Sequence, residues 1–152
     1  MIPAKVRSVL EVHGLEALEF EPGSTPTAEL AARRIGVETG RIAKSLLFKD
    51  KAGGFHLVVC PGDKRLASSA LKRVIGPRAS MTDADETERV TGYRPGGVCP
   101  FALEGVQILL DRDLERYPTI YPAAGTDATG VPLTFALLAD ITGGRIVDLS
   151  PE

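Results

Sequence analysis

The chain has 152 residues, 43% of them hydrophobic, with 18 lysines and arginines against 20 aspartates and glutamates. That is enough apolar material for one domain with a buried core, and too little chain for two comfortable ones. A formal net charge of −2 excludes a protein that coats nucleic acid through many unspecific phosphate contacts, while a local contact with one end of an RNA stays open.

Residues 1–7 hold no apolar run of signal length and no stretch approaches bilayer length, which reads as a soluble cytoplasmic protein. Pro3 is placed to open a first helix, with Val6, Val9 and Leu10 on one side and Gly14 to close it. Residues 15–21 are short and alternating enough for a strand. Thr25 before Pro26 reads as cap and first residue of a second helix, with Leu30, Ala31 and Ile35 as its apolar stripe and Gly36 as its stop.

Residues 41–49, the turn 50–54 and residues 55–60 predict a β-hairpin. In strand register Ile42, Lys44, Leu46 and Phe48 share a face, so one lysine stands in an otherwise apolar row. Two readings are open: an edge position from which Lys44 snorkels to water, or a cation held in a partly apolar cavity to meet an anion. Residues 66–75 predict an amphipathic helix with Ala67, Ala70, Leu71, Val74 and Ile75 on its apolar side. The stretch 64–78 carries five basic residues and no acid. Lys64, Arg65, Lys72 and Arg73 are therefore either a solvated face or a contact for RNA phosphates.

Thr82 and Asp83 both offer caps for a short acidic helix ending near residue 90, with Asp83 and Glu86 at capping-box spacing. It delivers the chain to Gly92-Tyr93-Arg94-Pro95-Gly96-Gly97-Val98-Cys99-Pro100-Phe101. Glycines and prolines packed this closely can turn successive amides toward one point and receive a carbonyl oxygen, an oxyanion or a phosphate. The plainer reading is a tight connection between a helix and a strand. Beyond it, residues 106–111 read as a buried strand and 112–117 as a short turn or helix. Strands at 119–123 and 131–134 flank a second glycine-bearing loop, 124–130. A helix at 135–141 ends at Gly143, and 145–149 is a last strand. Interleaved elements with hairpin-like connections favour α+β over a doubly wound parallel sheet. The expected fold is a single domain, residues 1–152, with a curved, mixed, partly barrel-like sheet flanked by helices. Cys60 and Cys99 form no C-x-x-C and have only His13 and His56 to join them, so neither a disulfide scaffold nor a zinc site is expected.

Taken together, Ile42-Ala43-Lys44-Ser45-Leu46-Leu47-Phe48, the loop from Thr91 to Phe101, and the closing segment 121–149 resemble the YbaK and prolyl-tRNA synthetase-associated editing domains over nearly the whole chain. The resemblance implies an aminoacyl-tRNA deacylase acting in trans, which hydrolyses the ester of a mischarged tRNA. Its partners would be the tRNA acceptor end and a prolyl-tRNA synthetase, with no DNA and no membrane. It further implies Lys44 as the lysine that contacts the 3′-terminal nucleotide, and Gly96, Gly97, Val98, Cys99 and Pro100 as the G-x-x-x-P loop that positions aminoacyl group and water. Ala124, Gly125 and Thr126 would line the amino-acid pocket, joined around the substrate by Ile42, Leu46, Tyr93 and Phe101. Two positions depart from the family pattern: Cys99 stands where many members have serine, and Ala102 where glycine is common. The branch that handles cysteine would carry a serine and an aspartate in the second loop. Here the stretch reads Tyr121-Pro122-Ala123-Ala124-Gly125, which favours alanine or another small amino acid on tRNA(Pro), with Cys-tRNA(Pro) as the alternative.

The chemistry is consistent from the residues upward. A synthetase pocket built for proline rejects a smaller side chain by only about 1–3 kcal/mol, so a second hydrolytic sieve is needed. Ester hydrolysis asks for a held water, donors at the developing oxyanion and a fixed 3′ end; backbone amides and a lysine suit those roles, with the terminal ribose hydroxyl as a further participant. No serine, histidine and acid set and no metal cluster is recognisable, and no cofactor is expected. Two rivals share the same residues: a non-catalytic module that binds an aminoacyl or nucleotide ligand, and a thiol hydrolase using Cys99.

Overall fold

The computed structural model describes residues 1–151. Helix α1 (Ala4–Val12) follows Pro3 and buries Val6 and Leu10. Strand β1 (Leu18–Glu19) is shorter than 15–21 predicts, because the Leu15 amide is drawn back onto the end of α1, donating to the Leu10 carbonyl at 2.8 Å. Helix α2 (Ala28–Ile35) begins later than the Thr25-Pro26 pattern predicts. Its cap is Thr27, which accepts from the Leu30 amide at 3.2 Å, whereas the Thr25 amide donates to the Asp127 carbonyl. The buried stripe is Ala31 and Ala32, Leu30 is exposed, and Gly36 ends the helix at φ 90°.

The hairpin forms as predicted from β2 (Ala43–Lys49) and β3 (Phe55–Pro61), with Lys44 opposite Cys60. Ile42 sits just ahead of β2 and bridges to Tyr121. Next come α3 (Ser68–Val74), an unforeseen two-residue β4 (Ser80–Met81), and α4 (Ala84–Thr91), capped by Asp83 accepting from the Glu86 amide at 2.8 Å. Strand β5 (Val106–Asp111) matches its prediction. The expected strands 119–123 and 131–134 reduce to single bridges, Ile42 to Tyr121 and Ile120 to Leu133. Pro118, Pro122 and Pro132 remove the donors a longer ladder would need. Strand β6 (Thr129–Gly130), α5 (Phe135–Thr142) and β7 (Arg145–Val147) complete the chain.

The main sheet has the order β4-β2-β3-β5-β7. β2 is antiparallel to β3 and β4, while β3, β5 and β7 run parallel, and β1 pairs with β6 in a separate antiparallel ribbon. The bridges at 42, 120 and 121 carry pairing past the start of β2 toward the ribbon, so the sheet is mixed and partly wrapped. Strand alternation divides the core into two layers. Leu47, Leu57, Val59 and Leu110 meet α1 and α5 on one side, and Phe48, Val58, Cys60 and Leu109 meet Ala70 of α3 and Leu149 on the other. The result is an α+β single domain. Among the described residues no helix is long and apolar enough to cross a membrane.

Candidate active site

Because β4 pairs only with Phe48 and Lys49, the N-terminal half of β2 is left as an open edge. A cavity of about 310 Å³ occupies that opening, walled by α2 and the segment before it, by β2, by the start of α4 and by Pro95, Gly96 and Val98. Lys44 lines it, and also borders a shallower groove running over Phe48, Arg65, Leu66 and Leu71. Its ammonium donates to the Lys64 carbonyl oxygen at 2.7 Å, and among the described residues no carboxylate lies within ion-pair distance of it. The Lys64 side chain points elsewhere, 2.8 Å from both the Asp111 and Asp113 carboxylates. Burial pulls the Lys64 pKa down, but the two carboxylates outweigh it and leave it raised. The 64 position is thus a fixed post: its side chain is clamped to β5 while its carbonyl orients Lys44.

The glycine loop forms the facing wall. The Gly97 amide closes a turn onto the Arg94 carbonyl at 2.9 Å, and a Cβ on Gly97 would stand 2.8 Å from the Thr126 Cα. Only glycine lets the two loops touch backbone to backbone, so the second loop is docked on the first. Tyr93, Cys99 and Phe101 lie underneath, 1%, 0% and 0% exposed, and the Tyr93 hydroxyl donates to the Phe101 carbonyl. They hold the loop from the core side rather than lining the cavity, which corrects the expectation for Tyr93 and Phe101. Ala124 is likewise core, and Gly125 packs against Pro3 and Tyr93. From that part of the chain Tyr121, Ala123 and Thr129 reach the cavity instead.

Burial pushes the Cys99 thiol up to about 11, and its polar surroundings are the Phe101 backbone, the Tyr93 hydroxyl and, at longer range, Lys5, with no histidine among them. No base is therefore placed to make it a nucleophile. Among the described residues no three of His, Cys, Asp and Glu come together to hold a metal ion.

A family model described as an aminoacyl-tRNA editing domain matches residues 22–141. The chain belongs to that family. Among the relatives of this editing domain, YwhH of Bacillus subtilis (strain 168) is 35% identical over 132 residues, covering 86% of this chain and 83% of YwhH. The "Putative Cys-tRNA(Pro)/Cys-tRNA(Cys) deacylase EbsC" of Enterococcus faecalis is 26% identical over 128 residues, 83% of this chain and 78% of EbsC. A proline–tRNA ligase of Thermosipho melanesiensis is 31% identical over 109 residues, which are 69% of this chain and 19% of the ligase. In three dimensions, a crystal structure of a "putative trans-editing enzyme for prolyl tRNA synthetase" superposes with a TM-score of 0.86 at 32% identity, over 99% of each chain.

Of the residues expected at the site of this editing domain, Ile42, Lys44, Leu46, Gly96 and Val98 converge on the cavity. Within the basic stretch, Lys64 is clamped by acids and Arg73 donates to the Asp148 and Ser150 carbonyls at 2.8 and 3.0 Å, whereas Arg65 and Lys72 are exposed. Sequence reasoning missed Thr25, Ser45, Thr82 and Thr87, all of which line the cavity. Only Ser45, adjacent to the odd lysine, carried any signal.

Proposed function

We propose that this editing domain is an aminoacyl-tRNA deacylase acting in trans, and that it releases alanine or another small amino acid from a mischarged tRNA(Pro). The observation that carries this reading is the convergence of Lys44 and the Gly96 loop on one small cavity whose lining contains no His, Cys, Asp or Glu among the described residues. Such a lining has hydroxyls and one lysine but no thiol, and no imidazole or carboxylate to activate a hydroxyl as a nucleophile. What it offers is electrostatic and positional: a lysine for the 3′-terminal phosphate and backbone amides for the oxyanion that forms when water attacks the ester carbonyl. With the Gly97 amide committed to Arg94, the amides of Gly96 and Val98 take that role. Ala31, Ala28 and Ala123 leave space for a small side chain. Arg65 and Lys72 meet the acceptor-stem backbone, a prolyl-tRNA synthetase is the source of the substrate, and the domain works with it in the cytoplasm.

The test is a panel of tRNA(Pro) charged with alanine, serine, threonine, cysteine and proline. Alanyl ester is expected to be released well above its spontaneous rate and prolyl ester much more slowly. Equal release of alanine and proline sinks the proposal, as does a charged tRNA bound without turnover, which would make the chain a binding module. The name given to EbsC supports a second reading, and fastest release of cysteine would select it.

A further inference from the structure

Along β2 the backbone groups alternate in direction. The Thr82 amide donates to the Leu47 carbonyl and the Ala43 amide to the Tyr121 carbonyl, each at 3.1 Å, so Ala43 and Leu47 turn their polar groups away from β3. In an antiparallel strand the residue midway between them does the same. This aims the amide and carbonyl of Ser45 across the open edge, between the last contact of β4 and the bridge at Tyr121. Among the described residues neither group has a hydrogen-bond partner. Two hydroxyls are in the same condition, Ser45 Oγ and Thr25 Oγ1, both buried and unpartnered, with Thr25 only 5% exposed. Ser45 and Thr25 both line the cavity.

Unpartnered polar groups at a cavity wall are costly unless something enters to meet them. An aminoacyl ester brings in one group that matches: the α-ammonium, a charged donor that no carboxylate of the lining is present to receive. Taking the deacylase reading as its basis, we infer that the free edge of β2 at Ser45 reads the substrate's α-amino group. The Ser45 carbonyl accepts one N–H and the Thr25 hydroxyl a second, in charge-assisted bonds. Lys44, whose ammonium is turned onto the Lys64 carbonyl, stays on the phosphate side, so the two cations are kept apart. A primary ammonium rotates to meet both acceptors, whereas the ring of proline fixes the directions of its two N–H groups. Discrimination against proline then rests on the amine as well as on size.

The probe is lactyl-tRNA(Pro), in which a hydroxyl replaces the ammonium of alanyl-tRNA(Pro) at almost the same size. Each ester is measured against its own spontaneous hydrolysis, because the ammonium itself activates the ester. The rate enhancement for the lactyl ester is expected to be at least tenfold below that for the alanyl ester. An enhancement within tenfold overturns the amine assignment and leaves the deacylase standing. Alanyl-tRNA(Pro) released only at its spontaneous rate overturns the deacylase reading, and this inference with it.

Discussion

Lys44 shows how much one side chain can be asked to do. Strand alternation exposes it as an oddity in an apolar row, and among the described residues it has a single hydrogen-bond partner, the carbonyl of Lys64. Donated by a charged group, that bond is worth about 1.5–3 kcal/mol, but it is set against the cost of desolvating a half-buried ammonium, so folding alone does not explain a lysine at this place. Lys44→Ala is therefore expected to melt within a few degrees of the parent while single-turnover deacylation falls about 100-fold, the scale for loss of one preorganised charge-stabilising donor. Lys44→Arg should rescue little, since a planar fork cannot reproduce a compact ammonium on a carbonyl post. Near-parental rates in a folded Lys44→Ala protein would make the residue a snorkelling edge lysine. That the hydroxyls of Thr25 and Ser45 lack partners was not legible in the sequence, because it is a property of the whole neighbourhood rather than of a residue type.

At the scale of elements, the loop after α4 carries a strain that its sequence hints at. Ala102 has φ 57°, the only non-glycine residue at positive φ among those described. An L-residue pays roughly 1–2 kcal/mol there, more than the entropy glycine loses on folding, about 0.5–1 kcal/mol. Ala102→Gly is thus expected to stabilise the fold by up to about 1 kcal/mol and leave deacylation unchanged; a lower urea midpoint would contradict it. The hairpin 43–61, β5 and the Asp83 cap were readable because turn chemistry, alternation and capping are local signals. The two-residue β4, the β1–β6 ribbon and the failure of 119–123 to form a strand were not, since each depends on which distant backbone arrives with free donors. Tyr93 and Phe101 were misplaced for a related reason. A shaped loop draws attention to all of its residues, yet the ones that hold it from below are in the core.

The two thiols give the whole molecule a built-in readout, because Cys99 belongs to the layer packed by α1 and α5 and Cys60 to the layer packed by α3. Both are 0% exposed. Burial pushes Cys60 up to about 12 and Cys99 up to about 11. A group whose folded pKa is raised contributes stability that is fully present below its unfolded pKa, about 8.5 for a thiol, and is lost as pH rises through the folded value. Resistance to denaturant is therefore expected to be steady at neutral pH and to decline between about pH 9 and 11. Near pH 8 the native thiols should not react with an alkylating reagent, so modification must wait for unfolding. If the sheet and both its layers form one cooperative unit, Cys60 and Cys99 will become reactive over the same narrow range of denaturant, each followed by mass spectrometry of its own peptide. Labelling of Cys60 at clearly lower denaturant than Cys99 would mean that the α3 layer opens on its own, and that Lys64, clamped to β5 beneath it, is a hinge rather than a fixed post.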